Sequence, residues 1–567
     1  MLMIFSSSSL LLISSIAILP ILSIEDAEFW RKLGAESIEA SLNVKKNEGM
    51  AKNGIIFIGD GMGMATITAG RIFKGQSEGR TGEEGYLTFE KFPNVGLLKT
   101  YNVDRQVPDS AATATALFSG VKANYYTMGL DGTAQFNVCR TDVEAKAKVS
   151  SIIDWAIAAG KSTGIVTTTR ITHATPAAAY GHCAHRDWEC DTKIPESERA
   201  FGCKDLARQL VEDEPGRNIN VILGGGEQVL RAKMNESKAC VRGDGQDLVW
   251  NWMQYQRAQK RKYRYVRTRE QLLDEGVHPS TDFLLGLFAP NHIPYDKERS
   301  LGPYGQPSLE EMTHQAINIL SRNPNGFVLI VEGGRIDHAH HDNLAKIALE
   351  EVVAFDKAIQ KGLAMTNLDD TMIVVTADHS HAFSMNGYPK RGNPIEGVGD
   401  KTPEGFAYQT LSYINGPGYT IHRTTNNMPG TNSTLQTRNT WKDLSHLGVN
   451  VTSDRTQVHL AGFWMDSETH GGEDVPVFST GPMGHLLHGV HEQTHVPFAM
   501  AYSLCIGPYE TKCRKGGGGG GDHHSKGHGH PAGKTNGGST PSIARNNNNL
   551  WLLTTTTVFL LAISHTC

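Results

Sequence analysis

The sequence predicts an α/β fold, with a large, mostly parallel central sheet flanked by helices on both faces. Three observations predict it. Short β-rich apolar runs alternate with helical patterns between about residues 50 and 505. The runs do not alternate polar with apolar, which is the mark of strands covered on both faces. Each run ends in a polar or glycine-rich turn.

The clearest runs are IIFI (55–58), GIVTT (164–168), NVIL (220–223), FVLIV (327–331) and MIVVT (372–376). In such sheets ligands bind beyond the carboxyl ends of the strands, so the residues after each run carry the functional argument. After the first come Gly59-Asp60-Gly61, and after the second TRITHAT, with His173 and Thr175. After the fourth come Glu332, Asp337, His338, His340 and His341, and after the fifth Asp378, His379, Ser380 and His381. Four strand ends thus carry carboxylates and imidazoles, which is the pattern of a metal site. Asp337 and His341 are four apart and share a face if a helix starts there. Mixed Asp/His ligation suits zinc, and carboxylate and Thr oxygens suit magnesium. His470, in SETHGGED, adds another donor.

The stretch VPDSAATATA (107–116) predicts a helix that opens at Asp109-Ser110, runs to about Leu117 and ends at Gly120. Its positive end favours an ionised Ser110 hydroxyl, although an ordinary N-cap has the same look. Beside divalent cations, such a serine can act as an alkoxide nucleophile. Arg186, in CAHRDW, is the candidate bidentate phosphate ligand.

The ends of the 567-residue chain point to the cell surface. Residues 1–23 are apolar and read as a secretory signal peptide, with an N-terminal membrane anchor as the alternative. From Gly516 the chain is a Gly/His-rich linker (514–549) that cannot build a core, and residues 550–567 form an apolar tail. Gly537, Gly538 and Ser539, a polar spacer of roughly ten residues and that tail fit a GPI-anchor signal. A C-terminal spanning helix is the alternative, weakened by threonines 554–557 and by the lack of following basic residues. Three sequons stand at Asn235, Asn432 and Asn450. Eight cysteines suit an oxidising compartment, and Cys567 lies in the tail. Cys139 with Cys203, Cys183 with Cys190, and Cys505 with Cys513 are the expected pairs, leaving Cys240 over. The formal net charge of −5 gives no argument for a nucleic-acid partner.

DGMG (60–63), PDSAATATA (108–116), TTTRITHATP (167–176), VEGGRIDHAHH (331–341), TADHSHAFS (376–384) and ETHGGEDV (468–475) resemble the signature blocks of alkaline phosphatases, of the animal GPI-anchored type. The resemblance runs from about Phe29 to Cys513. It implies a catalytic domain over 50–513 and a double in-line displacement on phosphate monoesters through a phosphoserine at Ser110, with Arg186 clamping phosphate. It implies two zinc ions and one magnesium ion per subunit. Asp337, His341 and His470 would hold the zinc that steadies the leaving group. Asp60, Asp378 and His379 would hold the zinc that activates Ser110. Asp60, Thr175 and Glu332 would hold magnesium, with His173 and His338 just behind. It also implies a homodimer embraced by a helix within 24–49, a crown insertion over 387–468, and a dimer contact at Tyr388. One departure puts a family-type calcium site in doubt. Two acidic positions read Ala289 and Gln306, with Asp296 or Glu298 as replacements.

Two other readings are weaker. A related sulfatase needs a Cys or Ser followed by x-Pro-x-Arg, whereas Ala-Ala-Thr-Ala follows Ser110. A related phosphodiesterase usually replaces that serine with threonine. A catalytically dead surface protein should have lost the nucleophile or a ligand, and none is lost.

Overall fold

The structure is a computed structural model that describes residues 25–139, 145–231, 240–274, 277–403, 405–428, 436–441, 444 and 454–511. The signal peptide, the anchor-site residues Gly537, Gly538 and Ser539, the tail, the three sequon asparagines and Cys513 lie outside the described residues.

The five apolar runs form the middle of one ten-stranded sheet. Its strands are β1 (Asn53–Gly59), β2 (Asn94–Lys99), β3 (Ser162–Arg170), β4 (Val221–Gly225), β5 (Tyr263–Val266), β6 (Phe283–Leu287), β7 (Phe327–Gly333), β8 (Thr371–Ala377), β9 (Val475–Thr480) and β10 (Gly489–Glu492). They lie in the order β10-β2-β9-β8-β1-β7-β3-β4-β6-β5. Only β9 runs against the others, pairing antiparallel with both β2 and β8. β1 lies between β7 and β8, with Ile58 level with Glu332 and Thr376. That register brings the strand ends carrying Asp60, Glu332 and Asp378 to one edge. Every residue of β7 and β8 is buried, so both faces of the sheet are covered. Ile55, Ile56, Phe57 and Ile58 are buried to within 1% exposure, each contributing roughly 1.5–3 kcal/mol on transfer from water.

Helices that matter to the site are α1 (Ala27–Leu42), α2 (Ser110–Ser119), α3 (Ala174–Ala178), α4 (Arg335–His341) and α5 (Ala345–Met365). α5 packs on the sheet through Phe355, edge-on to Phe57 of β1 at 6.2 Å. α1 has no buried residue. In the region read as a crown insertion, Leu411–Gly416 and Ala461–Trp464 join Phe383–Met385, just ahead of that region, in one three-stranded sheet, and the remaining described strands form two-stranded sheets. Among the described residues no helix is long and apolar enough to cross a membrane.

The cysteine expectations need one correction. Cys139 does pair with Cys203, but Cys190 pairs with Cys240 rather than with Cys183. The fold carries the segment around Cys240 to Cys190 across 50 positions, and Thr192 bridges them by donating to Val241 O. The Cys183 thiol instead donates to His185 O.

Candidate metal centre

Ser110 is the first residue of α2. Asp109 caps the helix by accepting from Ala111 N, and Gly120 closes it in the left-handed conformation, φ 73°. The serine side chain is almost fully buried on the floor of a cavity of about 660 Å³. Its Oγ lies 3.0 Å from His379 Nε2.

Three imidazoles around it share one tautomer. The Nδ1 atoms of His341, His379 and His470 face the carbonyl oxygens of Glu468, Ser380 and Pro108. A carbonyl only accepts, so each Nδ1 carries the proton and each Nε2 presents a lone pair to the site. This is how metal-ligating histidines are oriented. His341 Nε2 is 3.2 Å from His470 Nε2, and Asp337 Oδ1 is 3.3 Å from the first and 3.4 Å from the second. A tetrahedral cation with bonds of about 2.0–2.1 Å has ligand–ligand edges of about 3.3 Å. The same spacing recurs beside Ser110, where His379 Nε2 is 3.4 Å from Asp60 Oδ1 and 3.3 Å from Asp378 Oδ2.

A third group contains Asp60, His173 and Glu332, whose ligand atoms lie within 4.8 Å of one another. Both oxygens of Asp60, Oε1 of Glu332 and Oγ1 of Thr175, the second residue of α3, are buried with no hydrogen-bond partner. Native interiors rarely leave such atoms unsatisfied. The donor set therefore fits divalent cations at all three places.

Electrostatics agree. Burial, then the carboxylates of Asp378, Asp337 and Glu332, push Asp60 well above its usual value. Burial takes Glu332 up to about 7 against hydrogen bonds from Thr167. Carboxylates buried this close together stay ionised only beside cations. Two glycines make room for the cluster. A Cβ on Gly61 (φ +68°) would stand 2.3 Å from His381 Nε2, and one on Gly334 would stand 2.9 Å from the Glu332 carboxyl carbon.

Arg186 lines the cavity with Ser110. Its Nη1 is 3.3 Å from Asp109 Oδ2, and its Nη2 donates across 3.3 Å to His173 Nε2. Burial, then Arg186, hold His173 well below its usual pKa, and burial takes His338 down to about 3, so both are neutral. Their rings are 5.3 Å apart. Tyr388 is 93% exposed and stands apart from this cluster. In the stretch read as a doubtful calcium site, Gln306 Oε1 accepts from Ser300 N at 3.1 Å, and Ala289 O accepts from Gly226 and Glu227. Asp296 and Glu298 face Arg299 and Arg455 at 2.7 and 3.6 Å.

Sequence reasoning assigned no role to His381, Glu468 or His292. His381 lies between Glu468 Oε2 and Asp337 Oδ1, the latter at 2.9 Å. Burial opposes its charge, yet Glu468 and Asp337 raise it to about 10, so an imidazolium holds Asp337 in place. Its position two after His379 was visible, but its partner Glu468 is 87 residues away. His292 packs on His338 at 4.3 Å, beyond the end of β6, whose letters FLLGL stand outside the five clearest apolar runs.

Comparisons with known proteins point one way. The family described as "Alkaline phosphatase" matches residues 51–506. Alkaline phosphatase 4 of Drosophila melanogaster is 45% identical over 507 residues, 85% of this chain and 82% of that protein. The human tissue-nonspecific isozyme of alkaline phosphatase is 45% identical over 498 residues, 85% of this chain and 89% of that protein. Among solved structures, alkaline phosphatase from the Antarctic bacterium TAB5 superposes with a TM-score of 0.54 at 22% identity, over 81% of this chain and 99% of that one. The Thermus thermophilus enzyme gives 0.55 at 22% identity, over 82% and 93%. These last two share the fold.

Proposed function

The chain belongs to the alkaline phosphatase family, and from that membership we propose that it hydrolyses phosphate monoesters through a phosphoserine at Ser110, with two zinc ions and one magnesium ion per subunit, on the outer cell surface. The observation that carries the reading is the Ser110 hydroxyl 3.0 Å from His379 Nε2, in the cavity that Arg186 also lines. Asp337, His341 and His470 hold the first zinc, Asp60, Asp378 and His379 the second, and Asp60, Thr175 and Glu332 the magnesium. When bound, these cations supply charge stabilisation for the attacking and leaving oxygens and lower the pKa of hydroxyls near them.

The protein's own groups do the rest. Asp109 fixes the start of α2, so the helix end faces the oxygen that becomes the nucleophile. Arg186 binds two phosphate oxygens, and Asp109 and neutral His173 hold its fork in plane. His381 keeps Asp337 oriented. Protein stripped of metal and reloaded with zinc and magnesium should hydrolyse phenyl phosphate, with a rate that rises with pH, because oxyanions react. No hydrolysis in protein with zinc shown to be bound overturns the reading.

The surface location rests on the leader, the linker and the anchor-type tail. The homodimer rests on α1, where Trp30, Leu33, Ile38 and Leu42 are 52, 46, 64 and 81% exposed in the single chain. Tyr388 at 93% exposure is the proposed second contact. Removing residues 24–45 from the secreted form should halve its mass in analytical ultracentrifugation, and an unchanged mass removes α1 from the interface.

A further inference from the structure

Tyr126 stands in the left-handed region at φ 66°, where a side chain is disfavoured and glycine is not. Its backbone is pinned on both sides. Tyr126 N donates to Asp109 Oδ1 at 2.9 Å, and Tyr126 O accepts from Arg186 N at 2.9 Å. Glycine could make both bonds without strain. The phenol ring is therefore carried at a conformational cost, beside the guanidinium proposed to hold phosphate, 5.4 Å from its Cζ.

The ring belongs to an aromatic wall. Tyr125 and Tyr126 pair with centroids 4.5 Å apart and planes tilted by 32°. His185 braces Tyr126 edge-on at 5.7 Å. The Arg105 guanidinium lies 5.6 Å from the Tyr125 centroid, on a side chain 59% exposed. Tyr125, Tyr126 and Arg105 line the same cavity as Ser110 and Arg186. Burial, then Tyr126 and Asp109, raise the Tyr125 phenol to about 12, so it stays uncharged at alkaline pH and does not repel a phosphate ester.

We propose that Tyr125, Tyr126 and Arg105 form a leaving-group subsite that selects phosphate monoesters of planar aromatic or heteroaromatic alcohols over those of small aliphatic ones. It rests on the phosphomonoesterase reading above. The aromatic plane of the leaving group stacks on the tyrosine wall, with Arg105 closing the outer side.

The test compares kcat/KM for phenyl phosphate, adenosine 5′-monophosphate and 2-glycerol phosphate in the metal-loaded full chain and in Tyr125→Ala, Tyr125→Phe and Tyr126→Gly. Comparing each variant with the parent cancels the intrinsic reactivity of each ester. Tyr126→Gly suits its backbone, so folding is retained. In Tyr125→Ala and Tyr126→Gly, the preference for the aromatic esters over the glycerol ester should fall about fivefold, the order expected of one aromatic stack. The fall should come through KM, Tyr125→Phe should keep the preference, and competitive inhibition by inorganic phosphate should keep its strength. A fall with phenyl phosphate alone assigns the subsite to rings on the ester oxygen, and a fall with the nucleotide alone assigns it to a base beyond the sugar. Unchanged ratios with both aromatic esters overturn the subsite while leaving the phosphatase reading intact. Phosphate inhibition weakened in step with the aromatic esters reduces the rings to support for Arg186 and overturns it too. No hydrolysis of any ester by the metal-loaded parent overturns the phosphatase reading and the subsite with it.

Discussion

Ser110→Ala should lower kcat on phenyl phosphate by about 10⁴-fold or more, the size of loss seen when a nucleophile is removed from a preorganised site. Stability should hardly change. The serine side chain is small, and its hydroxyl makes one contact at 3.0 Å with His379 Nε2, worth about 1 kcal/mol net. Asp109, whose carboxylate caps Ala111 and faces Arg186, is untouched, so the helix start and the Arg186 guanidinium keep their places. The variant should therefore bind inorganic phosphate and load metal as the parent does, while failing to take up phosphate covalently when quenched in acid. Activity within tenfold of the parent, at equal metal content, would mean that water attacks phosphorus directly and that Ser110 is only a cap. The two cases differ in the acid-stable phosphate on the protein as well as in rate.

The middle of the sheet was legible because β8, β1, β7, β3 and β4 are covered on both faces, and double burial writes an unbroken apolar run. β2 was missed for the converse reason. It buries Asn94, Gly96 and Leu98 and exposes Val95, Leu97 and Lys99, so it alternates. β5 has four residues, and β9 contains Pro476. The ligand candidates were legible because a parallel sheet places its strand ends along one edge, which turns Asp60, Glu332 and Asp378 into neighbours from local sequence alone. Groups that act through a distant partner were not. His381 means nothing without Glu468, and Cys190 gives no local sign that it pairs with Cys240 rather than with Cys183. The tyrosine wall was hidden for another reason. Nothing in the letters of Asn124-Tyr125-Tyr126-Thr127 announces a positive φ at Tyr126.

Metal-free protein should lose thermal stability steadily as pH rises from about 6.5 to about 9, and metal should reverse the trend. The sign follows from proton binding. A group with a raised folded pKa binds more protons in the folded state, so its contribution falls as pH rises through that pKa. Glu332 at about 7, Asp60 well above its usual value and Glu351 at about 7 are acids raised by burial. His381, raised to about 10 by Glu468 and Asp337 against burial, acts in the same direction. Histidines lowered by burial, such as His173, His338 and His379, work the other way, but only below about 6.5, where their unfolded forms still titrate. Glu332 and Glu351 lose their contribution mainly between their unfolded values and about 7, so above that the fall comes from His381, raised to about 10, together with Asp60. Cations change the reference, because they bind the deprotonated carboxylates and compete with those protons. Stabilisation by zinc and magnesium should accordingly be small near pH 6 and grow toward pH 9, following ligand binding to the folded state alone. Calorimetry of stripped and reloaded protein at pH 6.5, 7.5 and 9 measures it. Equal melting temperatures for stripped protein across that range would show that the buried carboxylates keep their protons or find other partners, and would remove the electrostatic argument for a cation beside Asp60. A gap between stripped and loaded protein that widens with pH ties cation binding to deprotonation of the buried cluster of Asp60, Glu332 and Asp378 that the strand ends bring together.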